Sequence, residues 1–132
     1  MTGGSPSPVG RWPSVPPGGR LVAIAPDLMD RGRISSARPD VVFLGGPAEL
    51  AGLGPDDVAL VDLGRPAVLE AVGTCPAHVV GFVAHVDGAR SAAAVTAGVD
   101  EVLPRSVFFR RLAAPAGSTG PDGGDGPPSG GR

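Results

Sequence analysis

The chain has 132 residues, including 22 Gly and 16 Pro, with a formal net charge of −2 and a pI near 5.5. This weakly acidic balance gives no overall basic footprint, so we expect no nucleic-acid partner. The single cysteine, Cys75, excludes an internal disulfide and a multi-cysteine zinc site. No apolar run approaches the roughly 20 residues of a membrane span, and prolines interrupt the N-terminus where a signal peptide would need an apolar stretch. We therefore expect a soluble, cytoplasmic protein without membrane contact.

Glycine and proline are concentrated at the two ends of the chain. Residues 1–19 contain ten of them and residues 114–132 contain eleven. Such segments bury too little apolar area to offset the entropy lost on ordering the chain. We predict disordered tails at 1–19 and 114–132, neither of which offers a face to the core. The remaining residues, 20–113, are enough for one small domain.

Between the tails, short apolar runs alternate with helical segments. The predicted strands are Leu21–Ala25, Val41–Leu44, Val58–Asp62, Val79–Ala84 and Glu101–Leu103. The predicted helices are Leu28–Ala37, Pro47–Ala51, Pro66–Val72, Ala89–Ala97 and Val107–Ala113. This alternation predicts an α/β fold with a parallel sheet covered by helices on both faces. In such sheets functional groups collect beyond the carboxyl ends of the strands.

The second half of this pattern resembles a known family. The strand Val58–Asp62 ends in an aspartate and is followed by Pro66, and the next strand leads into the polar turn at residues 85–87. A short strand then reaches Pro104 and Arg105. Over residues 20–113 this order resembles the receiver domains of response regulators in two-component signalling. The resemblance implies a flavodoxin-like, doubly wound sheet of five parallel strands in the order 2-1-3-4-5, with Asp62 at the phosphoacceptor position.

The chain departs from that family at most of the positions that carry its chemistry. The fourth strand of a receiver ends in Ser or Thr and a small residue, where this chain has Val83 and Ala84. The fifth strand ends in a lysine, for which Arg105 is the nearest equivalent, since this chain contains no Lys. The paired acidic residues that hold Mg²⁺ are absent after the first strand, and only Asp27 remains nearby.

These departures define the expected function. The pocket would consist of Asp27, Asp62, Val83, Ala84 and Arg105, with no catalytic residue and no cofactor. Asp27 and Asp62 alone would make a thin Mg²⁺ site, because two carboxylates supply few of the oxygen ligands that this ion takes. We predict a stand-alone, non-enzymatic receiver-like module that acts through protein contacts without phosphorylation. Its partner surface, or homodimer contact, is expected at residues 89–112.

Several alternatives remain open from the sequence. Asp62 could cap backbone N–H groups, belong to a working pocket as in a residual phosphorelay receiver, or form an ion pair with Arg105. The Gly45-Gly46-Pro47 turn, together with Arg105, would instead suit a Rossmann-like domain that binds a nucleotide or another anion.

Two further sets of side chains carry expectations. Cys75 and His78 lie about 20 Å along the strand from His85 and Asp87, too far apart for a single metal site. Phe108 and Phe109 are adjacent on one short helix, so we expect only one of them to face the core and the other to meet a partner or a neighbouring tail.

Overall fold

Five parallel strands form the centre of the protein. The computed structural model describes residues 12–84 and 88–114, so the predicted tails at 1–11 and 115–132 lie outside it. In chain order the elements are β1 (Leu21–Ile24), α1 (Leu28–Ala37), β2 (Val42–Phe43), a 3₁₀ helix (Pro47–Gly52), β3 (Val58–Asp62), α2 (Pro66–Val72), β4 (His78–Val83), α3 (Gly88–Ala97), β5 (Glu101–Pro104) and α4 (Arg105–Ala113). The strand order is β2-β1-β3-β4-β5, and every pairing is parallel. The predicted fold class and strand order are confirmed.

The central strands are apolar because both of their faces are covered. All four residues of β1 are buried, and so are the first four residues of β3 and the last five of β4. One layer contains the 3₁₀ helix, α2 and α3, and the other contains α1 and α4. Gly98 ends α3 with a φ of +117°, a left-handed conformation that a residue with a Cβ rarely adopts.

The layer formed by α1 and α4 has an aromatic core, which corrects one expectation. Phe108 and Phe109 are 0% and 3% exposed, so both face inward. Phe108 stacks on Phe82 of β4 at a ring-centroid distance of 4.5 Å, and Phe109 meets the same ring edge to face at 5.6 Å. One short helix can bury both rings because Phe109 points into the space between α4 and α1, where the guanidinium of Arg33 covers it.

Residues 12–19, which the sequence analysis assigned to the N-terminal tail, contact the folded domain. Trp12 meets Phe108 edge to face at 5.7 Å, and Val15 packs on the same apolar cluster. The carbonyl of Pro13 accepts a hydrogen bond from Nη1 of Arg38 at 2.9 Å. Arg38 is only 1% exposed, and a buried guanidinium needs acceptors for its N–H groups. We call residues 12–19 the N-terminal strap.

The strap should therefore contribute to stability. We expect Trp12→Ala to lower the free energy of unfolding by about 1.5–3 kcal/mol, less than the cost for a fully buried Trp because Trp12 is half-buried. Urea denaturation measures the difference. Leu28→Ala is the matched control: Leu28 is 78% exposed, so its loss should cost less than about 0.5 kcal/mol. Equal losses in the two variants would show that the strap does not stabilise the domain.

The amino edge of the sheet is organised by Asp57. Its carboxylate accepts hydrogen bonds from the backbone N–H groups of Gly54 and Arg20, both at 2.8 Å, and from the Arg20 guanidinium at 3.2 Å. Its own carbonyl accepts from the His78 N–H at 3.1 Å. The Gly54 N–H, and then the Arg20 side chain, lower the pKa of Asp57 below its ordinary value of 3.8. Asp57 thereby ties together the starts of β1, β3 and β4, far from the carboxyl edge.

This lowered pKa predicts a pH dependence of stability. The ionised carboxylate stabilises the fold above pH 3.8, and the stabilisation is lost as the pH falls through the lower pKa of the folded state. At neutral pH we expect Asp57→Asn to lower the free energy of unfolding by about 1–2 kcal/mol. The difference in free energy of unfolding between this variant and the parent protein should shrink as the pH is lowered. Urea denaturation at a series of pH values tests this. The exposed neighbour serves as control, and a similar effect in Asp56→Asn would contradict the assignment.

Candidate functional site at the carboxyl edge of the sheet

The predicted pocket residues lie at the same edge of the sheet. In the register, Ile24 pairs with Val61, Asp62 with Phe82, and Val83 with Pro104. Asp27 follows β1, Asp62 ends β3, and Arg105 follows β5 directly as the first residue of α4. All three residues therefore lie at the carboxyl ends of their strands.

Arg105 does not pair with Asp62, so the ion pair considered in the sequence analysis is replaced by another. Its guanidinium binds both carboxylate oxygens of Asp30, with Nη1 at 2.7 Å from Oδ2 and Nη2 on Oδ1. The Asp30 side chain is 1% exposed, whereas that of Arg105 is 36% exposed. Asp30 lies in the first turn of α1 and faces the sheet together with Ile34, four residues later. Sequence analysis missed Asp30.

The Arg105–Asp30 pair sits over the aromatic core. The Arg105 guanidinium carbon lies 5.2 Å from the ring centroid of Phe109 and 5.9 Å from that of Phe82. Hydrogen bonding to Asp30 is the main cause that raises the pKa of Arg105 above its ordinary value. A bidentate pair with one buried member fixes both side chains, because neither can turn away without stranding the Asp30 charge.

Asp62 is engaged with its own turn. Its Oδ1 accepts a hydrogen bond from the Gly64 backbone N–H at 2.9 Å, and its carbonyl accepts from the Arg65 N–H at 3.4 Å. This is the capping role that the sequence analysis held open for an aspartate before a turn and a proline. The side chain is half-buried, so its second oxygen is not sealed off from the pocket.

Asp27 is the N-cap of α1. Its Oδ1 accepts from the backbone N–H groups of Met29 at 2.8 Å and Asp30 at 3.2 Å, which satisfies two of the free donors at the helix start. The three carboxylates at this edge are thus occupied by a helix cap, a turn and an arginine. One oxygen of Asp27, one of Asp62 and both of Asp30 are thus engaged, which leaves few of the several oxygens that a Mg²⁺ ion takes in near-octahedral geometry.

The remaining pocket positions supply no hydrogen-bonding side chain. Val83 is buried at 2% exposure, and Ala84 is exposed after the strand end. Neither carries a hydroxyl that could contact an anion bound at Asp62. His85 and Asp87, which the sequence analysis considered as metal ligands, lie outside the described residues.

The predicted anion-binding turn is filled by a side chain of the protein itself. Oε2 of Glu49 accepts from the backbone N–H groups of Gly45 at 2.6 Å and Gly46 at 3.1 Å. A carboxylate therefore occupies the position at which a phosphate would bind to these amides. This arrangement weakens the nucleotide-binding alternative.

Polar side chains at the amino edge also make no metal centre. His78 lies 3.7 Å from Asp100 and 3.5 Å from Glu101, and burial raises the pKa of the nearby Cys75 thiol. Within residues 12–84 and 88–114, no group of three His, Cys, Asp or Glu side chains is arranged to hold a metal ion. Over the same ranges, no helix has the length and apolar character to cross a membrane.

Comparisons with known proteins agree on the fold. A pilus assembly-related protein of Burkholderia pseudomallei is 19% identical, with a TM-score of 0.58 over 71% of this chain and 83% of that one. The signal receiver domain of NarL from Mycobacterium tuberculosis is 22% identical, with a TM-score of 0.56 over 71% of this chain and 89% of that one. A response regulator from Thermotoga maritima is 14% identical, with a TM-score of 0.58 over 72% of this chain and 92% of that one.

The chain therefore has the receiver fold, a flavodoxin-like arrangement that response regulators share. At the sequence level no family model and no curated protein matches it. The likeness consequently concerns architecture, and the roles of Asp62 and Arg105 follow from their own contacts.

Those contacts can be tested by a double-mutant cycle on Asp30 and Arg105. We expect Arg105→Ala to cost about 2–4 kcal/mol because it strands a buried carboxylate. Asp30→Ala should cost less, since the freed guanidinium can turn to water. The double variant should lose less free energy of unfolding than the sum of the two single losses, by about 1 kcal/mol or more. Chemical denaturation of the parent protein, the two single variants and the double variant measures these free energies.

A second cycle on Arg105 and Asp62 is the control, with an expected coupling close to zero because no ion pair joins these side chains. Additive losses at Asp30 and Arg105, or a larger coupling to Asp62, would contradict the pairing seen in the structure.

Proposed function

We propose that this protein is a receiver-like regulatory module that acts through protein contacts and does not use aspartyl phosphorylation. The observation that carries the proposal is the Arg105–Asp30 pair. Arg105, the cation that follows β5 at this edge of the sheet, is held by a buried carboxylate of α1 at 2.7 Å. An anion at Asp62 would have to compete with that carboxylate for the guanidinium.

The chemistry of phosphoryl transfer supports the same conclusion. Transfer to a carboxylate needs a metal or cation that neutralises the transferred group and a nucleophile free to attack in line. Here Asp62 is hydrogen bonded to Gly64, Asp27 caps α1, and the chain has no Lys. Val83 offers no hydroxyl that could follow a phosphoryl group inward. The pocket thus has the form of a receiver site whose parts are committed to internal structure.

A protein partner suits the surface of α3. Ala92, Ala93, Val95 and Thr96 are exposed on this helix, and Val95 is 61% exposed. An uncharged helix face of small side chains costs little to desolvate, so it suits contact with another protein or a second copy. This face falls within residues 89–112, where the sequence analysis placed the partner surface. One fold neighbour is described as pilus assembly-related and not as a response regulator, which is compatible with a role outside a phosphorelay.

Exposure to phosphodonors tests the proposal. With acetyl phosphate or beryllofluoride and millimolar Mg²⁺, we expect no increase in intact mass and no shift of the Gly64 amide resonance, because Asp62 and Arg105 are already engaged. Size-exclusion chromatography of the same samples should show an unchanged oligomeric state. A phosphorylation-competent receiver treated in parallel confirms that the donor is active.

The matched variant is Asp62→Asn, which removes the acceptor and keeps the shape of the side chain. Saturable, Mg²⁺-dependent modification of the parent protein that disappears in Asp62→Asn would overturn the proposal. It would instead support the residual phosphorelay alternative.

A further inference from the structure

Positive charge is concentrated on one face of this acidic protein. Helices α1 and α4 carry five arginines, at positions 31, 33, 105, 110 and 111, and one acidic residue, Asp30. The Arg105–Asp30 pair cancels internally, which leaves four positive charges on the two helices. The whole chain has a net charge of −2, so the opposite sign dominates elsewhere. The α1–α4 face is therefore electrostatically distinct from the rest of the molecule.

Most of these arginines have no acidic partner within the part of the chain that the structure describes. Arg111 lies 3.6 Å from Glu101, but no ion pair of a described carboxylate involves Arg31, Arg33 or Arg110. The guanidinium carbon of Arg33 lies over the Phe109 ring, 3.9 Å from its centroid. The ring accepts no strong hydrogen bond, so the N–H groups of Arg33 remain available to an external carboxylate.

An open groove runs between α1 and α4 beside Arg33. Its lining includes Met29, Gly32 and Ser36 from α1, and Phe109 and Ala113 from α4. Gly32 and Ser36 are exposed and lie four residues apart, so they share one face of α1. Their small side chains leave room for the backbone of another segment. Met29, which is 76% exposed, supplies an apolar wall.

We propose that this groove binds an acidic amphipathic helix of a protein partner. Apolar side chains of that helix would lie against Met29 and Ala113, which are exposed, while its carboxylates would face Arg33 and Arg110. Arg110 is three residues before Ala113 and hence on the same side of α4. Short-range apolar contact combined with charge complementarity is the usual basis of helix-in-groove recognition.

Other occupants fit these observations less well. A second copy would bring an equally basic face against this one, and the like charges would oppose contact. Nucleic acid is bound by rows of cations that follow the phosphates, whereas this groove combines its arginines with the exposed apolar side chains of Met29 and Ala113. A membrane surface is flat and would not enter a concave groove. The inference rests on the proposed function in that it assigns a protein partner, but it uses a surface separate from α3 and from Asp62.

The test uses the full-length chain and two synthetic peptides of about 15 residues with leucines at identical helical spacing. One peptide carries Glu at its remaining charged positions and the other carries Lys. By fluorescence anisotropy, we expect the Glu peptide to bind at low salt and its affinity to fall as salt is added. The Lys peptide should not bind. Amide resonances of Gly32, Arg33 and Ser36 should shift on titration.

Two variants localise the binding. Arg33→Glu should weaken binding of the Glu peptide at least about tenfold. Arg65→Glu makes the same charge change at the exposed start of α2 and should leave the affinity for this peptide within about twofold of the parent value. Gly32→Phe should also weaken binding about tenfold by filling the groove without altering charge. A Cβ at Gly32 meets no atom within 4 Å, so this variant is expected to fold. Thermal melts confirm that each variant is folded.

Three results would overturn the inference. The first is no binding of the Glu peptide, and the second is binding that Arg33→Glu and Gly32→Phe leave unchanged. The third is equal, Arg33-dependent binding of a duplex oligonucleotide or of phosphatidylglycerol vesicles, which would mark a general anion surface. None of these results depends on phosphodonor chemistry at Asp62, so the proposed function stands or falls separately.

Discussion

The ion pair between Arg105 and Asp30 joins the two helices on one face of the sheet, and the geometry of the carboxyl edge depends on it. A carboxylate that is 1% exposed is costly to bury without a partner, and Arg105 at the start of α4 supplies that partner. That contact fixes α4 against α1 and closes the aromatic core beneath the pair. The same contact engages Arg105, which follows β5, with Asp30 and not with Asp62.

The N-terminal strap shows how a small domain with short helices completes its core. Trp12 closes the lower end of the cluster around Phe108, and Arg38 holds the strap by binding the Pro13 carbonyl. Small domains bury a low fraction of their surface, so a few residues outside the regular elements contribute measurably. The layer formed by α1 and α4 therefore has the Arg105–Asp30 ion pair at the start of α4 and the contact of Trp12 with Phe108 further along that helix. The groove of α1 and α4 lies in the same layer.

At the carboxyl edge, groups that could act on a ligand are instead bound to the protein itself. Asp27 caps α1, and Asp62 accepts a hydrogen bond within its own turn. Glu49 accepts hydrogen bonds from the backbone N–H groups of Gly45 and Gly46. Each contact satisfies a donor that the fold would otherwise leave to water or to an anion. A site whose donors and acceptors are mutually satisfied is rigid, which suits presentation of a fixed surface better than a reaction that must rearrange charge.

The order of the elements was determined by the sequence itself, because apolar strands such as Val58–Asp62 and the Pro and Gly residues that bound the helices are local signals. The same signals placed Asp27, Asp62 and Arg105 at one edge of the sheet. Only the tertiary structure decided which charges meet. Leu28 and Met29 are apolar yet exposed, whereas Asp30 beside them is buried, since the phase of α1 is set by packing against α4 and not by its own weak amphipathicity. Trp12 likewise lies in a Gly- and Pro-rich segment, and its place in the core depends on Phe108 and Arg111, about a hundred residues away in sequence, which no local pattern records.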